Sequence, residues 1–375
     1  MKQREALMRI ETMHVYQYDL PVVGGCYRMA RTSVSSLDTT IVEIVTETGL
    51  TGYGECCPVG PVYQPQHALG ARAALAEMGP HLIGAEALRV SRAHDVMESA
   101  LNGSRYAKAA VDIALWDIAG KAYNARVCDL LGGAVQEWVP SYYAIGVLPA
   151  DEAAVIAAAK KREGYLRLQL KVGGRDLEED IAAIHKVYEA LGTGVRLAVD
   201  ANRGWTRRDA IRVSNACRDI PFVMEQPCDT LSEIAALRGR IAHAIYLDES
   251  ADSLDAILRA VNEGICDGFS LKVTRVGGLS AMRTIREICH VANLPMSCDD
   301  SWGGDIIAAA CAHMGATVPP SQMEGVWIAA PYIEKHYDRQ NGPRINGGQI
   351  RLPKEPGLGI QPEPSQWGEP VMSFG

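Results

Sequence analysis

The chain has 375 residues, 47% of them apolar and 22% charged, with a formal net charge of −8 at pH 7. That length buries a sizeable core and calls for two domains, or one large barrel with a smaller companion. The negative balance, with no block of Lys and Arg, excludes a phosphate-backbone partner such as nucleic acid and leaves a small molecule as the expected ligand.

No run approaches the roughly 20 apolar residues that a membrane span requires, so no membrane association is expected. The N-terminal stretch through Tyr16 carries charge where a signal peptide places its apolar core, which makes a cytoplasmic location the expectation. Met8 is a second candidate start, with residues 1–7 as an extension. The ten cysteines lack a CxxC pair or a zinc-type histidine spacing. They read as small buried apolar residues rather than a disulfide framework or a zinc site, the adjacent Cys56 and Cys57 included.

From about Ile10 to Glu55 the apolar positions alternate, as in Met13-His14-Val15-Tyr16 and Thr40-Ile41-Val42-Glu43-Ile44-Val45, with turns at Gly24-Gly25 and Gly49. That is a strand meander. Ala71–Met78, Arg92–Leu101 and Tyr106–Tyr123 then carry apolar residues at helical spacing, and Gly132-Gly133 closes the block. Residues 1–135 are therefore expected to form an α+β unit.

Beyond Trp138 short apolar strands alternate with amphipathic helices, the pattern of parallel βαβ units. The candidate strands are Ser141–Val147, Leu166–Val172, Leu197–Ala201, Phe222–Gln226, Ile245–Glu249, Gly268–Val273, Pro295–Asp299 and a weaker Gln322–Trp327. Seven or eight such units over residues 136–341 suit a closed α/β barrel better than an open sheet. The tail, 342–375, is rich in Gly and Pro, includes a strand near Gln349–Leu352, and is expected to pack back on the first unit.

Strands two to seven each finish on a polar residue: Lys171, Asp200, Glu225, Asp248, Lys272 and Asp299. They are spaced about 25 residues apart, one strand-plus-helix unit each, so a barrel register gathers all six at one mouth. Asp200, Glu225 and Asp248 fall on three neighbouring strands, where their charges repel unless a cation sits among them. An all-oxygen set without His or Cys favours a hard ion such as Mg²⁺. Lys171 and Lys272 lie four strands apart in a ring of eight and approach from opposite sides. A nearby divalent ion and a second ammonium are expected to lower a lysine pKa and make it a general base. Gln169 shares the strand face of Lys171 by the two-residue period. No His occupies a strand end, and GxSxG, P-loop and GxGxxG motifs are missing at credible positions, which leaves a histidine-dependent nucleophile without support.

With these residues in place, the chain resembles the mandelate racemase/muconate-lactonizing branch of the enolase superfamily. The matching segments are Leu168–Lys171, Asp200–Asn202, Glu225–Pro227, Asp248–Ser250 and Leu271–Gly278. The resemblance implies an α+β capping domain over a modified (β/α)7β barrel of the TIM type. It also implies one Mg²⁺ per subunit held by Asp200, Glu225 and Asp248, α-proton abstraction to an enediolate, and a homo-oligomer. In that superfamily a Lys or His base works together with Mg²⁺. Many members carry a lysine where this chain has Gln169.

Within the branch, Glu55–Tyr63, Cys298–Asp305 and Glu324–Trp327 are most similar to the 4-hydroxyproline betaine 2-epimerases. That resemblance places Tyr63, Gln169, Asp299 and Trp327 around the substrate, with Asn202 and Glu324 in support. It implies an isomerase acting on a small carboxylate with a quaternary or substituted amine, Trp327 facing the cation. The expected reaction is inversion of C2 of proline betaine or 4-hydroxyproline betaine by 1,1-proton transfer between Lys171 and Lys272. The alternatives on the same fold are dehydration of a hydroxyproline or sugar acid and cycloisomerisation; outside it, a non-catalytic binder of small acids.

Overall fold

A computed structural model describes residues 8–375; the reading of residues 1–7 as an extension lies outside the described residues. Three long antiparallel strands, Ile10–Pro21, Ser36–Thr46 and Thr51–Cys56, form the capping sheet, and Met372–Phe374 adds a fourth strand beside the first. Met13, Val15, Val42 and Ile44 are buried on one face, under helices Ala68–Leu82, Val90–Ala100 and Arg105–Ala122.

The helix Arg105–Ala122 turns Ala107, Ala110 and Ala114 to the sheet at three- and four-residue spacing and so comes very close. The approach requires glycine: a Cβ on Gly54 would stand 1.7 Å from the Ala110 carbonyl oxygen, and one on Gly52 2.3 Å from that of Ala114. Gly54→Ala is therefore expected to destabilise the fold by at least ~1–3 kcal/mol, the usual range for overpacking. A melting temperature equal to that of the wild type would contradict it.

The second domain is a ring of eight parallel strands: Tyr143–Ile145, Arg167–Lys171, Arg196–Asp200, Phe222–Glu225, Ala244–Leu247, Gly268–Lys272, Met296–Asp299 and Met323–Gly325. The ring closes through a parallel bridge between Ser141 and Val326, with the Val326 N–H donating to the Pro140 carbonyl at 2.8 Å. Helical segments follow the first seven strands, and only a short 3₁₀ turn follows the eighth, so the architecture is the modified (β/α)7β barrel expected from the sequence. Helix starts are locally encoded, with reciprocal capping boxes at Thr206/Asp209 and Thr230/Glu233.

The tail divides its contacts. Gln349–Arg351 pairs with Trp138–Pro140 at the barrel, and Met372–Phe374 pairs with the capping strand at Met13–Val15. All ten cysteines are free, and nine are buried. No helix among the described residues is long and apolar enough to cross a membrane.

Candidate active site

The strand register decides which side chains meet. Lys171 pairs across the sheet with Asp200, Asp200 with Glu225, and Lys272 with Asp299, so the polar residues that end these strands form one rim. Asp248 follows directly on the fifth strand, Ala244–Leu247, one residue beyond its end.

Asp200, Glu225 and Asp248 are fully buried, and each offers a carboxylate oxygen within 4.8 Å of the others. Glu225 Oε2 has no hydrogen-bond partner, and its Oε1 accepts from Gln169 Nε2 at 2.9 Å. Burial and the nearby Asp200 and Asp248 push the Glu225 carboxyl up to about 7. Crowded negative charge of this kind is what a divalent cation relieves, and an all-carboxylate donor set suits Mg²⁺. Burial works against ionisation of Asp248 as well, but Lys272 and Arg275 outweigh it and hold that carboxyl below its usual range. Arg275 Nη2 donates to Asp248 Oδ1 at 2.6 Å.

The two lysines stand on strands two and six of the ring, and both line one cavity. Lys171 donates to Asp200, while Lys272 Nζ lies 3.5 Å from Asp248 and 3.7 Å from Asp299. The expected lowering of their pKa values does not arise from the protein's own groups. Burial presses both downward, but Asp200 for Lys171, and Asp248 with Asp299 for Lys272, raise them above the normal lysine value.

Gln169, Tyr63 and Trp327, candidates from the sequence, border the same cavity. Tyr63 reaches down from the capping domain, and its hydroxyl donates to Asp248 Oδ2 at 3.0 Å. Asn202 supports Asp200 through its backbone N–H at 2.8 Å and its side-chain amide at 3.1 Å.

Two further expected residues, Asp299 and Glu324, bond chiefly to other side chains of the barrel. Asp299, expected from the sequence at the substrate, accepts from the Tyr142 hydroxyl at 2.8 Å, the Trp327 backbone N–H at 2.8 Å and Ser297, and lies 3.7 Å from Lys272 Nζ. Glu324 pairs with Arg196 Nη1 at 2.9 Å and Tyr246 at 3.2 Å. Arg196 opens the third strand, so Glu324 serves the end of the barrel remote from the lysines.

The acid that lines the cavity is Asp300, next in the chain after Asp299. Thr274 donates to Asp300 Oδ1 at 2.5 Å, while Oδ2 is buried without a partner. Burial above all, with some help from Glu55, pushes the carboxyl up to about 7. Trp302, on the same loop, packs edge-on against Trp327 at 5.2 Å and against Tyr27 of the capping domain at 5.3 Å, making an aromatic wall. The loop is pinned from the capping side by Glu55, which accepts from the Gly304 N–H at 2.7 Å, the Ile307 N–H at 3.2 Å and the Tyr337 hydroxyl at 2.8 Å.

Comparison with known proteins agrees with this geometry. Residues 13–132 match the Mandelate racemase / muconate lactonizing enzyme, N-terminal domain, and residues 151–366 match the Enolase C-terminal domain-like family. The chain belongs to the mandelate racemase/muconate lactonizing branch of the enolase superfamily. Among its enolase-superfamily relatives, the cis-3-hydroxy-L-proline dehydratase of Roseibium aggregatum is 40% identical over 372 residues, 98% of this chain and 100% of that protein. The hydrophobic dipeptide epimerase of Enterococcus faecalis is 30% identical over 290 residues, 76% of this chain and 81% of the epimerase. A solved enolase-superfamily member from Roseovarius nubinhibens ISM, complexed with magnesium, superposes with a TM-score of 0.92 at 33% identity, covering 98% of this chain and 99% of the other. Racemases, epimerases, dehydratases and cycloisomerases of this superfamily thus share the fold, and the cavity has to decide among them.

Proposed function

We propose that the chain is a magnesium-dependent dehydratase of a 3-hydroxyproline such as cis-3-hydroxy-L-proline, with Lys171 and Lys272 as its acid/base pair. The observation that carries this reading is the juxtaposition of two buried lysines, from strands two and six, with a carboxylate cluster on the arc between them. The dehydratase of Roseibium aggregatum, matched along its whole length, supports the choice of reaction.

Asp200, Glu225 and Asp248 would hold the Mg²⁺, and the unpartnered Glu225 Oε2 fits that role. Bound there, the ion would supply positive charge to a substrate carboxylate and would draw on the carboxylates that now raise the lysines. One lysine takes the α-proton at Nζ. The electron pair left behind forms the Cα–Cβ double bond as the Cβ–O bond breaks. The departing hydroxyl leaves as water with a proton from the opposing, protonated lysine, and the enamine tautomerises to a cyclic imine. Tyr63 and the aromatic wall exclude bulk water from this step.

Asp300 favours a ring nitrogen that carries hydrogen. Its partnerless Oδ2 can accept from a secondary ammonium, whereas a quaternary nitrogen has no N–H to give. Asp300→Asn is accordingly expected to raise KM for cis-3-hydroxy-L-proline about 10- to 100-fold, the range for a charged hydrogen bond. An unchanged KM would remove Asp300 from substrate recognition.

A second reading rests on the wall of Trp302, Trp327 and Tyr27, which suits a quaternary ammonium through cation–π attraction. It is C2 epimerisation of proline betaine or 4-hydroxyproline betaine by the same two lysines. Incubation of each compound with Mg²⁺ in D₂O separates the two. A trappable cyclic imine from cis-3-hydroxy-L-proline supports dehydration; deuterium at C2 with decaying optical rotation from a betaine supports epimerisation. Neither product from either compound would defeat both.

A further inference from the structure

Beyond the acid/base machinery, two segments of the capping domain roof the cavity. One, around residues 24–35, contributes Tyr27 and Met29; the other, around residues 57–66, contributes Tyr63. Beside local ties such as the Val147 N–H to the Arg28 carbonyl at 2.9 Å and the Tyr63 hydroxyl to Asp248, one barrel residue reaches both segments. Arg203 follows the third strand in the turn Asn202-Arg203, where both residues adopt left-handed backbone, φ +41° and +66°. A non-glycine pair in that region is strained and is kept only where the surroundings enforce it.

The enforcement is visible. The Arg203 N–H donates to the Gln226 carbonyl at 2.9 Å, and the Asn202 amide donates to Asp200 and, at 3.0 Å, to Glu249. From the left-handed turn both the Arg203 side chain and its carbonyl reach capping-domain partners. Nη2 then donates to the carbonyls of Val62 and Tyr63 at 3.0 and 2.7 Å, and the Arg203 carbonyl accepts from Arg31 Nη2 at 2.7 Å. Arg31 and Arg203 also share Asp229, at 3.2 and 3.5 Å. Ala30, beside Arg31, lies against Gly173, Gly174 and Gly204, and its carbonyl oxygen would stand 2.0 Å from a Cβ on Gly174.

We propose that Arg203 is a positioning residue that clamps both roof segments to the barrel, one through its guanidinium and the other through its carbonyl, and so keeps Tyr63 and Tyr27 over the reacting centre. Because the clamp grows from the turn that also supports Asp200, the roof and the carboxylate cluster are fixed by one piece of backbone. The guanidinium is suited to this because its planar fork serves two adjacent carbonyls from one nitrogen while facing Asp229 with another; a lysine ammonium on a flexible stem cannot hold that geometry.

The test uses the full chain and two readouts. Amide hydrogen–deuterium exchange, followed by mass spectrometry without substrate, reads the clamp itself. The kinetic readout, with cis-3-hydroxy-L-proline, rests on the dehydratase reading, so failure of that reading leaves the exchange result standing. In Arg203→Ala, which keeps the backbone carbonyl that Arg31 binds, peptides from 57–66 are expected to exchange about tenfold faster than in wild type, with peptides from 24–35 and the barrel strands changed far less. KM should rise about tenfold or more with kcat changed far less, and Arg203→Lys should fall between the two. Arg31→Ala, an exposed-side change that leaves the guanidinium of Arg203 in place, is expected to loosen 24–35 alone. Unchanged exchange in Arg203→Ala, faster exchange of the whole barrel, or a fall in kcat at constant KM would overturn the proposal. A poorly folded Arg203→Ala protein hands the decision to Arg203→Lys and Arg31→Ala, where wild-type exchange in both segments would count equally against it.

Discussion

Replacing either Lys171 or Lys272 by alanine is expected to lower kcat by roughly 10²- to 10⁴-fold, the usual contribution of a positioned acid or base. The two variants should nevertheless differ in one respect. With a single enantiomer of substrate, only the lysine on the face of the α-proton is needed for C2 exchange with solvent. Deuterium incorporation measured by NMR should therefore vanish in one variant and persist, without product, in the other. Exchange surviving in both variants would show that neither amine is the base. Both variants should still bind Mg²⁺, because the lysines touch Asp200 and Asp248 without belonging to the ligand set.

The second large effect concerns the carboxylate cluster. Mg²⁺ that binds the folded chain and not the unfolded one adds ~2.7 kcal/mol at one hundred times its dissociation constant, several degrees in melting temperature. Glu225→Gln and Asp248→Asn are expected to abolish that rise, the first by removing the carboxylate with the unpartnered oxygen and the second by removing the one that Arg275 and Tyr63 orient. The dependence on pH has a definite sign. The Glu225 carboxyl is raised to about 7, so below that value it carries a proton which the cation has to displace. The Mg²⁺-dependent rise should be fullest above pH 7 and shrink as the pH falls through it. A rise that persists in both variants, or grows towards acid pH, would place the ion elsewhere.

Much of the barrel was legible because parallel strands covered on both faces read as short continuous apolar runs, and here most ended on an ionisable residue. The eight expected strands lie on the eight observed, with no end displaced by more than two residues. The acidic cluster and the two lysines followed from the same register. Asp299 and Asp300 show where such reasoning runs out. Adjacent residues on a strand face opposite ways, but at a strand end the chain turns, and only the tertiary path decides which carboxylate enters the cavity. Here Asp299 bonds Tyr142 and Trp327 and lies 3.7 Å from Lys272 Nζ, while Asp300 borders the cavity. Glu324 came from a motif rather than from a register, and its true partners, Arg196 and Tyr246, lie on strands distant in sequence. Arg203 left no periodic signal at all, since its role depends on a left-handed turn and on capping-domain carbonyls about 140 residues away. The direction of the lysine pKa shifts was out of reach for a related reason: the sequence shows which charges gather but not how closely each ammonium pairs with its carboxylate.

The proposed reaction requires a divalent ion seated between two amines that face each other across the barrel. The most direct measurement is a crystal structure of the chain grown with Mn²⁺ in place of Mg²⁺ and with cis-3-hydroxy-L-proline, the ion located by anomalous scattering. The expected result is one ion coordinated by Asp200, Glu225 and Asp248 and by the ligand's carboxylate, with the ligand Cα between Lys171 Nζ and Lys272 Nζ. An ion outside that triad, or both amines on the same side of Cα, would contradict it.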